Sequence, residues 1–517
     1  MVDLAGWANT SPDKIALTFP ETGATVSYSE LDARARRVSQ WLIGLGLQAG
    51  DVVAYMLDNG PVIFELAFGA RRAGLYYTPL NTHLREAELA YVLRDSGARL
   101  LVVDAAYTDL ARQIAVDAPD LRIVVNGGAG DDAYDRALAQ NPPSSEAQGR
   151  PVGRDFMYSS GTTGFPKGIR KPLTPFEDRH AEDREVATWR RAFGFDTESI
   201  YLSPAPLYHA SPLRYCMRTL QIGGSCVVLR KFDAALALAC IERFKITHSQ
   251  WVPIMFVRLL DLPDEIRGRH DLSSMRYAIH AAAPCSVAVK ERMLAWWGER
   301  IWEFYGGSEG IGLTLLSSAE WRAHKGSVGR ATLGEIHVLD EDGHEVPAGE
   351  MGKVFFANGP KFAYHNDPEK TRSAHNDKGW ATYGDIGHVD ADGFLFLSGR
   401  RVDLIISGGV NIYPQEIEDC LAEHPAVQDV AVVGVPNREF GEEVKAVVQL
   451  RDPQAGSEAL AAALIAHCRA RLPGFKTPRS VEFDAQLPRQ ENGKLLKRQI
   501  KERYWSVSAE PAPEPVA

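Results

Sequence analysis

The chain reads as an α/β protein: a large N-terminal region of α/β subdomains with a β-rich subdomain, followed by a small α+β domain. Three observations predict this. Between residues 28 and 104, helical-period stretches alternate with short apolar runs, the pattern of an α/β sheet. From residue 334 the pattern switches to short strands broken by D-G turns. Beyond residue 400 a further helix–strand–strand–helix pattern occupies about 100 residues, enough for a separate domain. At 517 residues the chain is longer than one typical domain. The expected boundaries are 1–399 and 400–507, with the Pro- and Ala-rich acidic segment 508–517 as a disordered tail.

Taken in order, YSELDARARRVSQWLIG places Leu31, Ala35, Val38 and Leu42 at helical spacing, with Ser29 and Asp32 as a capping box. Gly44 and Gly46 end that helix, and VVAYML follows as a buried strand. A helix (PVIFELAFGARRAG), a strand (GLYYTPLN), and the helix and strand of ELAYVLRDSGARLLVVD continue the alternation. Residues 124–151, polar and rich in Gly and Pro, read as a connection. Residues 176–193 read as a charged amphipathic helix with a solvated face. YLSPAPLYHASP puts His209 in a Pro-bounded turn ahead of a helix, and SMRYAIHAAAP sets three small residues just past a strand.

Composition narrows the function classes. The balance of 57 basic and 67 acidic residues gives −10, which offers nucleic acid no footprint. Six scattered cysteines without a C-x-x-C pair imply neither a disulfide framework nor a zinc site and suit a reducing cytoplasm. The N-terminus lacks a signal-peptide pattern, and no apolar run approaches the roughly 20 residues of a membrane helix. A lipid-like ligand would be met from water or at a membrane surface. Oligomeric state is open, a homodimer being one option.

The chemistry concentrates in YSSGTTGFPKG, Tyr158 to Gly168. Glycines at 161, 164 and 168 let backbone N–H groups approach an anion, Ser159, Ser160, Thr162 and Thr163 add neutral donors, and Lys167 adds a compact charge. This is a phosphate-cradling pattern. It is not a Walker loop, because Pro166 falls five residues after Gly161 and Gly168 follows Lys167 where Ser or Thr is required. In WEFYGGSEGIG, Tyr305 can stack on a purine, glycines allow close approach, and Ser308 and Glu309 offer oxygen ligands, with Glu309 suited to Mg²⁺ beside phosphates. In WATYGDIGHV, Asp385 can accept from two ribose hydroxyls, as acidic residues do in dinucleotide folds, and Arg400 is a second ribose or phosphate contact. Lys494 follows Asn492-Gly493, a tight-turn pair that projects it from a loop.

These motifs, in this order, resemble those of the adenylate-forming superfamily, which includes acyl-CoA synthetases such as fatty-acid–CoA ligases, luciferases and peptide-synthetase adenylation domains. The resemblance spans about 28 to 504, with Ser308 standing where the family's Tyr-Gly-x-Thr-Glu motif has threonine. It implies that Ser159, Ser160, Gly161, Thr162, Thr163, Gly164, Lys167, Ala282, Ala283, Tyr305, Gly306, Ser308, Asp385 and Arg400 bind ATP. Thr163 and Glu309 would hold Mg²⁺. Tyr208, His209, Trp251 and Gly307 would line the acid pocket, where amino-acid-activating members carry an aspartate at the position of His209. Without that counter-charge an amino-acid substrate is disfavoured.

The resemblance further implies a mobile C-terminal domain that carries the catalytic Lys494, with Glu309 and His209 as the other catalytic positions. Val402 falls at the hinge, where the family commonly has Asp or Lys. Gly408 and Gly409 would line a pantetheine tunnel, and Lys476 and neighbouring basic residues would meet the phosphates of coenzyme A. The implied reaction is ATP-dependent: a carboxylate becomes an acyl-adenylate with loss of pyrophosphate, and the CoA thiol then displaces AMP. The expected substrate is a medium- or long-chain fatty acid, with aryl or alicyclic acids second. A luciferase-type oxygenase shares every motif, and a non-catalytic nucleotide-binding homologue is the reading from another class.

Overall fold

The computed structural model describes residues 3–116, 118–128, 130, 133–142, 149–159, 165–179, 181, 183–408, 410–490 and 493–505. Segment 508–517 lies outside them. The chain divides into two compact units. The first comprises Met1–Trp251, Arg258–Ile279 and Lys361–Ser373, and the second Val252–Val257, His280–Pro360 and Ala374–Ala517.

In the first unit, one sheet is wholly parallel in the order Arg122–Asn126, Ala98–Asp104, Val52–Met56, Tyr76–Pro79, Arg154–Asp155. All five residues of Val52–Met56 are buried, as a central strand covered on both faces requires. A second set of strands runs Tyr277–His280, His248–Trp251, Ile200–Ser203, Ser225–Val228, Ile15–Phe19, Ala24–Ser27. The helix Pro61–Ala73 buries ten of its residues, each large apolar one worth roughly 1.5–3 kcal/mol. It lies so close to the helix Tyr28–Gly44 that a Cβ on Gly69 would come 2.3 Å from Val38 Cγ1. The one carboxylate buried in that helix, Glu65, is paired: Arg34 donates at 2.5 Å and the Tyr134 hydroxyl at 2.9 Å.

Three local expectations change. The capping box of Tyr28–Gly44 is Ser27 with Glu30, not Ser29 with Asp32. Asp32 is buried instead and paired with Arg36 and Arg72. The supposed connection 124–151 begins inside the strand Arg122–Asn126 and holds a short helix, Tyr134–Ala139. The helix expected over 176–193 is confined to Arg184–Phe193, and its Glu185 is not simply solvated, because Lys171 and Arg218 both bond it.

The second unit contains an antiparallel sheet ordered Glu335–Leu339, Gly352–Ala357, Asp385–Val389, Leu395–Arg400, Ser327–Leu333, Leu313–Leu316, Ile301–Tyr305. It also contains a smaller sheet in which Gly441–Leu450 pairs antiparallel with Val427–Asn437 and parallel with Ser480–Phe483. Helices Pro414–Ala422 and Glu458–Arg469 cover this sheet around a core that includes Ile417, Leu421, Val432, Val448 and Leu464. Val402 stands 51% exposed after the strand Leu395–Arg400. Among the described residues no helix is long and apolar enough to cross a membrane.

Candidate active site

The glycine-rich stretch is entered and left by an antiparallel pair, Met157–Ser159 with Lys167–Ile169, which sets Ser159 opposite Lys167. Ser160, Gly161, Thr162, Thr163 and Gly164 lie outside the described residues. Packing within the first unit fixes the flanks. The Tyr158 hydroxyl donates to Asp95 at 2.6 Å, and Phe165 stacks on Tyr91 with centroids 4.7 Å apart. Lys167 Nζ lies 4.9 Å from the centroid of Tyr364, a cation–π contact at the base of the loop. The two short strands fix Ser159 and Lys167 opposite one another at the two ends of the glycine-rich stretch.

His209 is the N-cap residue of the helix Ala210–Ile222 but caps it with no side-chain bond. Its Nε2 is buried without a hydrogen-bond partner among the described residues. Burial, and secondarily the neighbouring His83, depress its pKa to about 3, so the imidazole is neutral at physiological pH. The Tyr208 ring lies 4.5 Å from that of His209 and 6.4 Å from that of His83. His83 was not picked out in the sequence, where nothing ties it to residue 208. Trp251 is a core residue with no exposure, its indole N–H donating to Ser249.

Within the second unit the structure brings several of the expected residues together. Tyr305 ends the strand Ile301–Tyr305, and its hydroxyl donates to Asp385 Oδ2 at 2.5 Å. Asp385 is 7% exposed and opens the strand Asp385–Val389, where its backbone pairs with that of Arg400. Tyr383 lies edge-on to Tyr305 at 5.6 Å and donates to the Gly312 carbonyl at 2.9 Å. A Cβ on Gly307 would fall 2.4 Å from the Tyr383 ring and 2.7 Å from Glu309 Oε2, so only glycine lets the chain turn there. Gly306 and Ser308 share this turn, which Gly310 N closes onto the Gly307 carbonyl at 3.0 Å. Tyr383 escaped the sequence reading, although it stands two residues before Asp385.

The carboxylate of Glu309 is a hard oxygen donor on a turn without a side chain at 307, and it fits Mg²⁺. Ala282 is exposed and holds φ +75°, a left-handed conformation that costs a residue with a Cβ roughly 1–2 kcal/mol. Ala283 follows it, half-buried.

Lys494 sits on a hairpin whose Gln490 N–H donates to the Lys494 carbonyl at 2.8 Å. Gly493 has φ +80°, and a Cβ there would lie 2.5 Å from Ile254 Cγ2 and 3.1 Å from Val252 Cγ2. The hairpin therefore docks on that segment through a bare backbone. Arg489, missed in the sequence, buttresses it by donating to the Gly493 carbonyl at 2.5 Å and to both oxygens of Asp429 at 2.6 Å. Gly408 has φ +57° and donates to the Phe440 carbonyl at 2.8 Å, while Gly409 lies outside the described residues. Lys476 is engaged with Glu416 at 2.5 Å.

Comparison with known proteins gives this geometry its setting. The profile of a family described as AMP-binding enzyme matches residues 4–362, and that of the AMP-binding enzyme C-terminal domain matches 416–494. A feruloyl-CoA synthase from Amycolatopsis sp is 34% identical, covering 93% of this chain and 94% of its own. The long-chain-fatty-acid–CoA ligase FadD13 of Mycobacterium tuberculosis is 30% identical over 96% of this chain and 98% of its own. An anthranilate CoA ligase, AuaEII, solved in complex with anthranoyl-AMP, superposes with a TM-score of 0.85 at 27% identity, covering 98% of this chain and 97% of that one. Enzymes of this kind use ATP, Mg²⁺ and CoA. The chain belongs to the AMP-binding enzyme family and is an AMP-forming carboxylic acid–CoA ligase.

Proposed function

We propose that the enzyme activates a hydrophobic monocarboxylic acid, with a planar aryl acid as the first candidate class. The observation that carries this reading is the ring cluster of His83, Tyr208 and His209 around an imidazole kept neutral by burial. Flat rings complement a flat acid, and an uncharged imidazole gives no counter-charge to an amino-acid ammonium. The 34%-identical feruloyl-CoA synthase supports the same class. A medium- or long-chain fatty acid is the second reading, favoured by the 30%-identical fatty-acid ligase.

In this reading the substrate carboxylate attacks the α-phosphorus of ATP, forming the acyl–O–P bond as pyrophosphate leaves. Two anions must approach, so the residues act on charge. The 159–167 loop holds the phosphates, with Lys167 at its base. Tyr305, Gly306, Ser308, Ala282 and Ala283 seat the nucleoside, Asp385 and Arg400 its ribose. Glu309 and Thr163 would hold Mg²⁺, which when bound offsets phosphate charge. Lys494 stabilises the anionic transition state from a mobile domain, 400–507. That domain then turns at Val402 so that Gly408, Gly409 and Lys476 admit CoA, whose thiolate displaces AMP. Tyr208 and His209 line the acid pocket in this reading, and the fully buried Trp251 supports the fold behind it without facing the acid. We place the enzyme in the cytoplasm, with a homodimer as its candidate assembly and a membrane surface as a source of any lipid-like acid.

The test is a comparison of kcat/KM for hydroxycinnamates, benzoates, octanoate and palmitate at saturating ATP and CoA. An aryl acid favoured at least tenfold supports the first reading. A fatty acid favoured by that margin replaces it with the second.

A further inference from the structure

Behind two of the segments just described, the second unit buries charge. Lys290, in the helix Val287–Trp297, is 1% exposed, and its ammonium donates to Glu303 Oε2. Glu303 lies in the strand Ile301–Tyr305, two residues before Tyr305, and alternation puts the two on the same face of the strand. His280 ends the strand Tyr277–His280, two residues before Ala282. It is fully buried, its Nε2 lies 3.5 Å from Glu303 Oε2, and among the described residues neither ring nitrogen makes a hydrogen bond. Its ring stands edge-on to Phe256 with centroids 5.4 Å apart.

Stability alone does not account for this arrangement. A buried ion pair is often matched or bettered by apolar side chains of equal volume, and a buried imidazole without partners is a cost. What the three share is their place in the chain. They connect the middle of the strand that ends at Tyr305 with the end of the strand that leads into the strained Ala282. A left-handed alanine persists only where its surroundings over-determine it. Burial holds the Glu303 carboxyl above the usual range although Lys290 offsets part of that rise, while burial and then Lys290 push the His280 imidazole down.

We propose that Lys290, Glu303 and His280 are positioning residues, a buried clamp that fixes Tyr305 and the Ala281–Ala283 turn and thereby sets the enzyme's affinity for ATP. The inference rests on the reading of Tyr305 and Ala282 as nucleotide contacts. The clamp touches neither the nucleotide nor the acid and acts through those two segments.

The test is ATP binding to the full-length enzyme by calorimetry, without acid or CoA, together with thermal melting. The double variant K290M/E303Q, which removes both charges at similar volume, is expected to bind ATP about tenfold more weakly, with kcat at saturating ATP lowered less than threefold. Ala282→Gly, which relieves the strain, is expected to weaken ATP binding in the wild type and to add little in the double variant. His280→Leu covers the case in which the double variant does not fold, and its expected loss is threefold to tenfold. Unchanged ATP affinity in folded variants, or full additivity with Ala282→Gly, overturns the clamp. No ATP binding by the wild type overturns the nucleotide reading on which it rests.

Discussion

The docking of the Lys494 hairpin makes Gly493→Ala a sharp perturbation. Two costs add. An alanine at φ +80° pays roughly 1–2 kcal/mol for the left-handed conformation. Its Cβ would also lie 2.5 Å from Ile254 Cγ2 and 3.1 Å from Val252 Cγ2, an overpacking that typically costs about 1–3 kcal/mol. Arg489, paired with Asp429, holds the base of this segment, so displacing Gly493 strains that support. The hairpin is expected to lift by about an ångström, and misplacement on that scale costs on the order of 10² in rate. Acid-dependent pyrophosphate release should fall about 100-fold, whereas thioester formation from a preformed acyl-adenylate and CoA should fall less than threefold. Ile254→Ala in the same chain should restore part of the first rate by making room. Equal losses in both half-reactions, or full adenylation activity in Gly493→Ala, would refute the assignment of the docked hairpin to adenylation.

Further perturbations probe other parts of the account. Asp385→Ala removes the acceptor of the Tyr305 hydroxyl and, in the proposed reading, a ribose contact; a charge-assisted bond is worth about 1.5–3 kcal/mol, so KM for ATP should rise by about 10- to 150-fold in steady-state assays. Gly307→Ala should lower activity more than stability, because its Cβ meets Tyr383 and Glu309 rather than the core, a difference that melting and turnover together reveal. Asp419, which accepts from Gln415 Nε2 at 2.9 Å, has a pKa raised to about 7 by burial. An acid whose folded pKa lies above its unfolded value contributes stability in full below pH ~4, and loses it as pH rises through about 7. The melting temperature of Asp419→Asn relative to wild type should therefore increase steadily from pH 4 to 8; a flat difference counts against a neutral Asp419 at low pH.

Much of the fold was legible because its signals are local. Helical spacing of Leu31, Ala35, Val38 and Leu42 marks a real amphipathic helix, and D-G turns mark the β-rich strands. The capping box slipped by two residues because Ser27/Glu30 and Ser29/Asp32 have the same spacing, and only tertiary pairing with Arg72 shows that Asp32 is spent elsewhere. The strand at 122–126 was lost because its Gly-rich sequel dominates composition. Of the site, motif residues such as Tyr305, Glu309 and Asp385 announce themselves by type and neighbours. Tyr383, His83 and Arg489 do not, since each acquires its role from a partner distant in sequence. Lys290 and Glu303 look like surface charges in any window of sequence, and only folding reveals that they are buried together.

The most direct measurement is the fate of ATP in the presence of an acid panel and CoA, for wild type and Lys494→Ala. The account predicts equal amounts of AMP, pyrophosphate and acyl-CoA from one class of hydrophobic acid. In Lys494→Ala it predicts an adenylation rate lowered on the order of 10²–10³ while the thioester step from acyl-adenylate survives. AMP formed without thioester, or a Lys494→Ala enzyme that adenylates at the wild-type rate, would contradict it.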